Sequence, residues 1–362
     1  MTVAEPPVQD LLDRWAAALR ADDVDALRDL VDSGAEPGVL DRQLDRATDM
    51  SGIPFADFGF ELAPEQASDT EPSVFLRYAI EGADPASTRK PMSIVVARRD
   101  DGWKLASDAG AWHGPWDFGP VVATRAGNSV VLGHPDQQSL VDAIAAELPA
   151  AVDGVTDVWG PQWRRAVVVF VTGSPAEFAA LGGVSDPAVA AVSVSDEVVA
   201  GTPPTGQRIV FSPEAATRLT ESTRRSVLRH ELTHVAARAE TVTGSPTWVL
   251  EGFADFVGYR ESDLPFNRIA PNLVRTNHPV TFPDDAEFAA GAAVVAYEKA
   301  WSAWAFLADA FGTETAVQLY RSLARGPADA RRIDAELRAT LGVSTVDFVA
   351  AWNEWLRRRI GG

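Results

Sequence analysis

Five consecutive residues, His230-Glu231-Leu232-Thr233-His234, constrain this chain more than anything else in it. On a helix, positions i and i+4 share a face, so the two imidazoles converge on one point. Histidine is scarce, with five in the chain at 113, 134, 230, 234 and 278, so the pair is no by-product of composition. Glu231 sits one step round from His230, close enough to reach a metal-bound water without being a ligand. That is where a general base belongs. The pattern reads as a zinc site built for hydrolysis, which takes three protein donors and keeps one position open.

The third donor is expected to be Glu251, 17 residues after His234 in Trp248-Val249-Leu250-Glu251-Gly252-Phe253-Ala254-Asp255. That interval holds the rest of one helix, a turn and the start of another, so two packed helices can aim three donors at one ion. The metzincin pattern would instead continue with Gly and a third His, where this chain has Ala237 and Glu240. Ala237 lets the helix run on and carry Glu240 off the ligand face. Asp255 lies four residues after Glu251 on the same face. It is expected to accept the second N–H of His230 or His234, as ligating histidines require.

Around this motif the apolar periodicity changes twice. Residues 8–20, those through Leu27, Leu30 and Val31, and those from Val39 to about Ala47 carry helical spacing. Phe58–Leu62, Ser73–Ile80, Met92–Ala97 and Trp103–Ala106 read as strands, with a hairpin turn at Arg99-Asp100-Asp101-Gly102. Helices followed by an antiparallel meander give an α+β domain over 5–115. Gly110–Pro120 reads as a linker, and 120–362 as a second domain. In it a hairpin at 121–132, a helix at about 135–152, a buried strand in 165–172, a short helix at 175–181 and strands at 189–194 and 208–211 precede the motif helix. That helix is expected to end near Glu240, and Ser245 to cap the next one with Pro246 in first position. Further helices are expected at about 286–311, 313–325, 329–341 and 344–359.

The two motif segments resemble the gluzincin clan of zinc metallopeptidases, more narrowly the peptidase MA-like families, over about 120–360. The order of elements in 5–115 is similar to the nuclear transport factor 2-like fold, in architecture alone. The first resemblance implies a thermolysin-like core of a small sheet and the zinc helix, followed by a helical C-terminal lobe. It implies Zn2+ as cofactor and a peptide or protein as substrate, bound as an added strand along a sheet edge, for which Arg208–Phe211 is the candidate. It also implies a Tyr or His donating to the oxyanion, with Tyr297 first and His278 second. The chain lacks the Gly-x-Met-Glu-Asn segment of gluzincin aminopeptidases, which favours an endopeptidase. The alternative is a peptidase-like module that binds peptide or metal without turnover.

Composition limits the rest. The formal charge is −19 and no basic stripe interrupts it, which argues against nucleic acid as a partner. There are no cysteines, so disulfides and thiolate ligands are excluded. No run approaches the ~20 apolar residues of a membrane helix. Met1–Pro7 lacks the basic start and apolar core of a signal peptide, so a complete chain is expected in the cytoplasm. Removal of an anchor or signal would instead place it outside.

Overall fold

The computed structural model describes residues 7–65, 68–198, 202–276, 279–289 and 293–361. The fold is α+β, and the chain packs as two compact units, 1–146 with 166–217, and 147–165 with 218–362.

The first unit opens with three helices, α1 (Pro7–Ala21), α2 (Val24–Leu30) and α3 (Val39–Asp49). Strands β1 (Phe55–Leu62), β2 (Ser73–Ile80), β3 (Thr88–Arg99) and β4 (Gly102–Gly110) follow as an antiparallel meander in that order. Burial alternates along β3, with Met92, Ile94 and Val96 inside and Ser93 and Val95 outside, as expected of a sheet with one solvated face. Trp15 of α1 stacks on Phe60 at 4.0 Å and donates its indole N–H to Gln43.

A second sheet holds β5 (Val122–Ala126), β6 (Ser129–Gly133), β7 (Val168–Val171), β8 (Ala191–Val194) and β9 (Arg208–Phe211), in the order β5-β6-β7-β9-β8. Strands β6, β7 and β9 run parallel, and their residues are buried throughout, as central parallel strands are. The strand expected to form the open edge, Arg208–Phe211, is therefore interior. Strand β8 pairs antiparallel along its outer side and is itself the edge. Helices α4 (Gln138–Trp159) and α5 (Pro175–Gly182) complete this part. Helix α4 runs past the expected end near Val152 because Val155, Val158 and Trp159 continue the buried spacing, and it contributes residues to both units.

The two sheets share one core, running from Leu11 and Trp15 through Tyr78 and Trp116 to Phe170 and Val210. The boundary expected at 115–120 falls inside this unit. Gly110–Pro120 is no free linker: Trp116 is buried against Phe55, Phe58 and Tyr78, and Asp117 is 2.6 Å from Arg46. A buried ion pair, Arg208–Asp84 at 2.6 Å, joins β9 to the turn after β2. Burying a charge is tolerable only with such a partner.

The second unit is helical. After α6 (Ala215–Arg218), which spans the boundary, come α7 (Glu221–Ala237), α8 (Thr247–Tyr259), α9 (Phe266–Ile269), α10 (Pro271–Thr276), α11 (Asp285–Ala289), α12 (Ala293–Phe311), α13 (Thr313–Leu323), α14 (Ala330–Leu341) and α15 (Thr345–Gly361). Helix α7 ends at Ala237 and tightens into a 3₁₀ turn, Arg238–Glu240. Helix α8 starts at Thr247, one residue later than expected. Ser245 spends its hydroxyl on Val242 O and Gly326 N, and Asp285 caps the helix from 38 residues away by accepting Thr247 N–H at 2.8 Å.

His134 is buried in the first unit with Nε2 2.9 Å from Glu177 and Nδ1 2.9 Å from Pro120 O. The bond to Glu177 holds its imidazolium above the ordinary histidine range although burial opposes it. The unfolded chain loses this proton at about pH 6.5. The stabilisation is therefore complete below that pH and is lost as pH climbs through the raised folded value. Urea-unfolding midpoints should fall over that interval, and His134→Gln should flatten the fall. Parallel pH profiles for wild type and variant would contradict this.

Candidate metal centre

Helices α7 and α8 meet where their backbones nearly touch. A Cβ on Gly258 would lie 2.7 Å from Ser226 O and 3.4 Å from His230 Cβ, so only glycine permits the approach. On its other side α8 meets α12 equally closely, since a Cβ on Gly252 would lie 2.7 Å from the Ala300 carbonyl carbon. Helix α8 is thus held between two neighbours. Glu251 and Asp255, one turn apart on one face, are brought against the histidines of α7.

Nε2 of His230 and Nε2 of His234 are 3.1 Å apart. The Glu251 carboxylate places Oε2 3.3 Å from the first and Oε1 3.5 Å from the second. Asp255 Oδ1 is 2.8 Å from His230 Nδ1. His230 donates its Nδ1–H there and turns Nε2 toward His234 and Glu251. Once both Nε2 atoms are deprotonated, they and the Glu251 carboxylate offer their lone pairs to one cation.

The donor set fits zinc in kind and in size. Zinc takes histidine nitrogen and carboxylate oxygen at ~2.0–2.2 Å, and neighbouring ligands of a tetrahedron with such bonds stand ~3.3 Å apart. The three donors can hold one ion. The four side chains keep 16–23 % exposure, so water can reach the cluster.

Electrostatics follow from the same geometry. Burial disfavours the His230 imidazolium, but Asp255 and then Glu251 and Glu231 outweigh it and hold the group well above the usual range. Burial likewise penalises the Glu251 carboxylate, and the two imidazoles more than compensate, holding it well below the usual range. Glu231, beside His230, is 7 % exposed. Tyr297 of α12 is half-buried beside Phe288, with ring centroids 5.1 Å apart. Burial raises its phenol first, and Glu251, Asp255 and Glu231 raise it further, which places it in the field of the cluster.

The structure therefore brings His230, His234, Glu251 and Asp255 together and sets Tyr297 within their field. Glu240 lies elsewhere, 3.1 Å from Arg321 Nε. His278 is outside the described residues. Sequence reasoning missed Tyr259, whose phenol is pushed up to about 12 by burial and then by Asp255. Its only signal is the four-residue step from Asp255, which an aromatic packing on a helix shares.

No family model matches the chain, and no curated protein does. Among solved structures the chain is similar to an M1 zinc metallopeptidase from Deinococcus radiodurans, at 15% identity and TM-score 0.39, covering 73% of this chain and 59% of that one. It is also similar to a two-domain M1 zinc metallopeptidase variant bound to L-arginine, at 15% identity and TM-score 0.38, covering 72% and 58%. The chain thus spans less than two thirds of those metallopeptidase chains. The donor geometry stands independently of both.

Asp255→Ala should weaken zinc binding by roughly 10- to 100-fold, the usual effect of losing such a partner. Gly258→Ala should force α8 off α7 and weaken binding too. Competition titrations with a chelator measure both, and unchanged affinities would contradict this account of the cluster.

Proposed function

We propose that the chain is a zinc-dependent peptidase, a gluzincin-type, peptidase MA-like enzyme that cleaves within polypeptides. The observation that carries the reading is the 3.1–3.5 Å mutual spacing of His230, His234 and Glu251 around a point that solvent can reach. In this reading those three residues hold the ion. Zinc bound there would polarise a carbonyl and bring the acidity of water to near-neutral pH.

The chain's own residues supply the rest. Glu231 accepts the proton of the attacking water and delivers it to the leaving nitrogen as the C–N bond breaks. Asp255 keeps the Nδ1 proton on His230 and so keeps Nε2 a donor to metal. Tyr297 donates its phenol hydrogen to the carbonyl oxygen as negative charge gathers there. His278 is the alternative donor. Cleavage within chains is favoured because the segment that recognises a free N-terminus in gluzincin aminopeptidases is missing. The regions 5–115 and 120–362 each hold a sheet of their own. They are read as a nuclear transport factor 2-like accessory domain and a thermolysin-like catalytic region.

Elemental analysis should find about one zinc per chain, and a peptide-library digest should show internal cleavage. Glu231→Gln should keep the metal and slow hydrolysis by roughly 10²- to 10⁴-fold. Equal cleavage by wild type and Glu231→Gln would overturn the mechanism. Metal binding without cleavage by the wild type would leave a peptide- or metal-binding module. Tyr297→Phe should keep the zinc and lower kcat more than it changes KM, and an unchanged kcat would remove Tyr297 from the mechanism.

A further inference from the structure

One turn before Glu251, at the N-terminus of α8, Trp248 lines a groove of about 640 Å3 that lies wholly within the helical unit. That size lies within the ~300–1,000 Å3 of ordinary ligand sites. Its apolar lining includes Trp248, Phe282, Ile333 and Val349. Trp248 and Phe282 stack at 4.2 Å with an interplanar angle of 18°.

Its charged lining residues are all acidic, although Asp329 also pairs with the exposed Arg331 at 3.7 Å. Asp284, Asp285 and Asp329 line it and are exposed, and no lysine or arginine is among its described lining residues. Each carboxylate uses its Oδ1 to accept a backbone N–H at a helix start: Asp284 from Glu287, Asp285 from Thr247 and Asp329 from Arg332. Helix N-termini tolerate and stabilise such anions. The negative charge over the groove is therefore built into the ends of α8, α11 and α14.

The geometry points to a docking groove for a basic, apolar stretch of polypeptide, with aliphatic side chains against the partly exposed Phe282, Ile333 and Val349, and lysine or arginine against Asp284 and Asp285 and, in place of Arg331, against Asp329. A second copy of this chain is a poor occupant, because it would bring a net charge of −19 toward a negative surface. Taken with the proposed peptidase function, on which this extension rests, the groove would select basic substrates. Capture at the groove would favour cleavage of peptides that carry such a stretch.

The test uses the zinc-loaded Glu231→Gln protein, so that binding is read apart from hydrolysis. The probes are acetyl-Leu-Arg-Leu-Arg-amide and its Leu-Glu-Leu-Glu twin, measured by calorimetry. The arginine peptide should bind and the glutamate twin should not. The combined change Asp284→Asn, Asp285→Asn and Asp329→Asn keeps the capping oxygens and should weaken binding about tenfold. Ala330→Trp, an exposed position at the groove, should block it without touching the core. Equal binding of the twins, no binding of the arginine peptide, or full affinity in Ala330→Trp would overturn the proposal. Spermidine binding as tightly as the arginine peptide would reduce the groove to a cation site and overturn it as well. If the arginine peptide binds as described while the wild type cleaves nothing, the groove stands and the peptidase reading falls. If the wild type cleaves peptides while the arginine peptide does not bind, the reverse holds.

Discussion

Two helices can share three donors around one ion only if their axes come close enough for a glutamate to span the gap. That approach is the constraint on which the rest of the centre depends. Gly258 sets it against α7 and Gly252 sets it against α12, because at each position a side chain would collide with backbone rather than with something that can move. Helix α8 is therefore fixed between two neighbours. Its Glu251 and Asp255 inherit their positions from glycine contacts and not from any property of the acids themselves.

The cluster is costly to hold together. Two imidazoles, three carboxylates and a phenol share a partly buried space, and each perturbs the others. The charges balance in pairs: Asp255 against His230, and Glu251 against both histidines. Without a metal, the protonated imidazoles and the carboxylates satisfy one another as ion pairs. With Nε2 of both histidines deprotonated, the same spacing aims three lone pairs at one point, so a cation there would compete with protons for the site.

Much of the local structure was legible in the sequence. The meander from Phe55 to Gly110 declares itself by alternation, and the helix pairing His230 with His234 by its four-residue step. Asp255 was legible for the same reason, since the step from Glu251 repeats on one face. Longer-range features were not. Gly110–Pro120 has the composition of a linker, yet Trp112 and Trp116 close an aromatic cluster with Tyr78. Arg208 meets Asp84 across 124 residues of chain, and Asp285 caps α8 from 38 residues away. Such pairings have no local signature. They are also why the packing units do not follow the expected boundary.

The sequence by itself determined the chemistry on offer: which donors exist, their spacing along each helix, and the absence of thiolates. Periodicity alone carries that information, because residues four apart on a helix must share a face. Only the tertiary structure decided that Glu251 faces the histidines while Glu240 turns to Arg321, that β9 lies inside its sheet, and that Tyr297 shares the field of the cluster. Those outcomes depend on where separate elements come to rest, and that is set by glycine contacts and buried ion pairs between residues far apart in the chain.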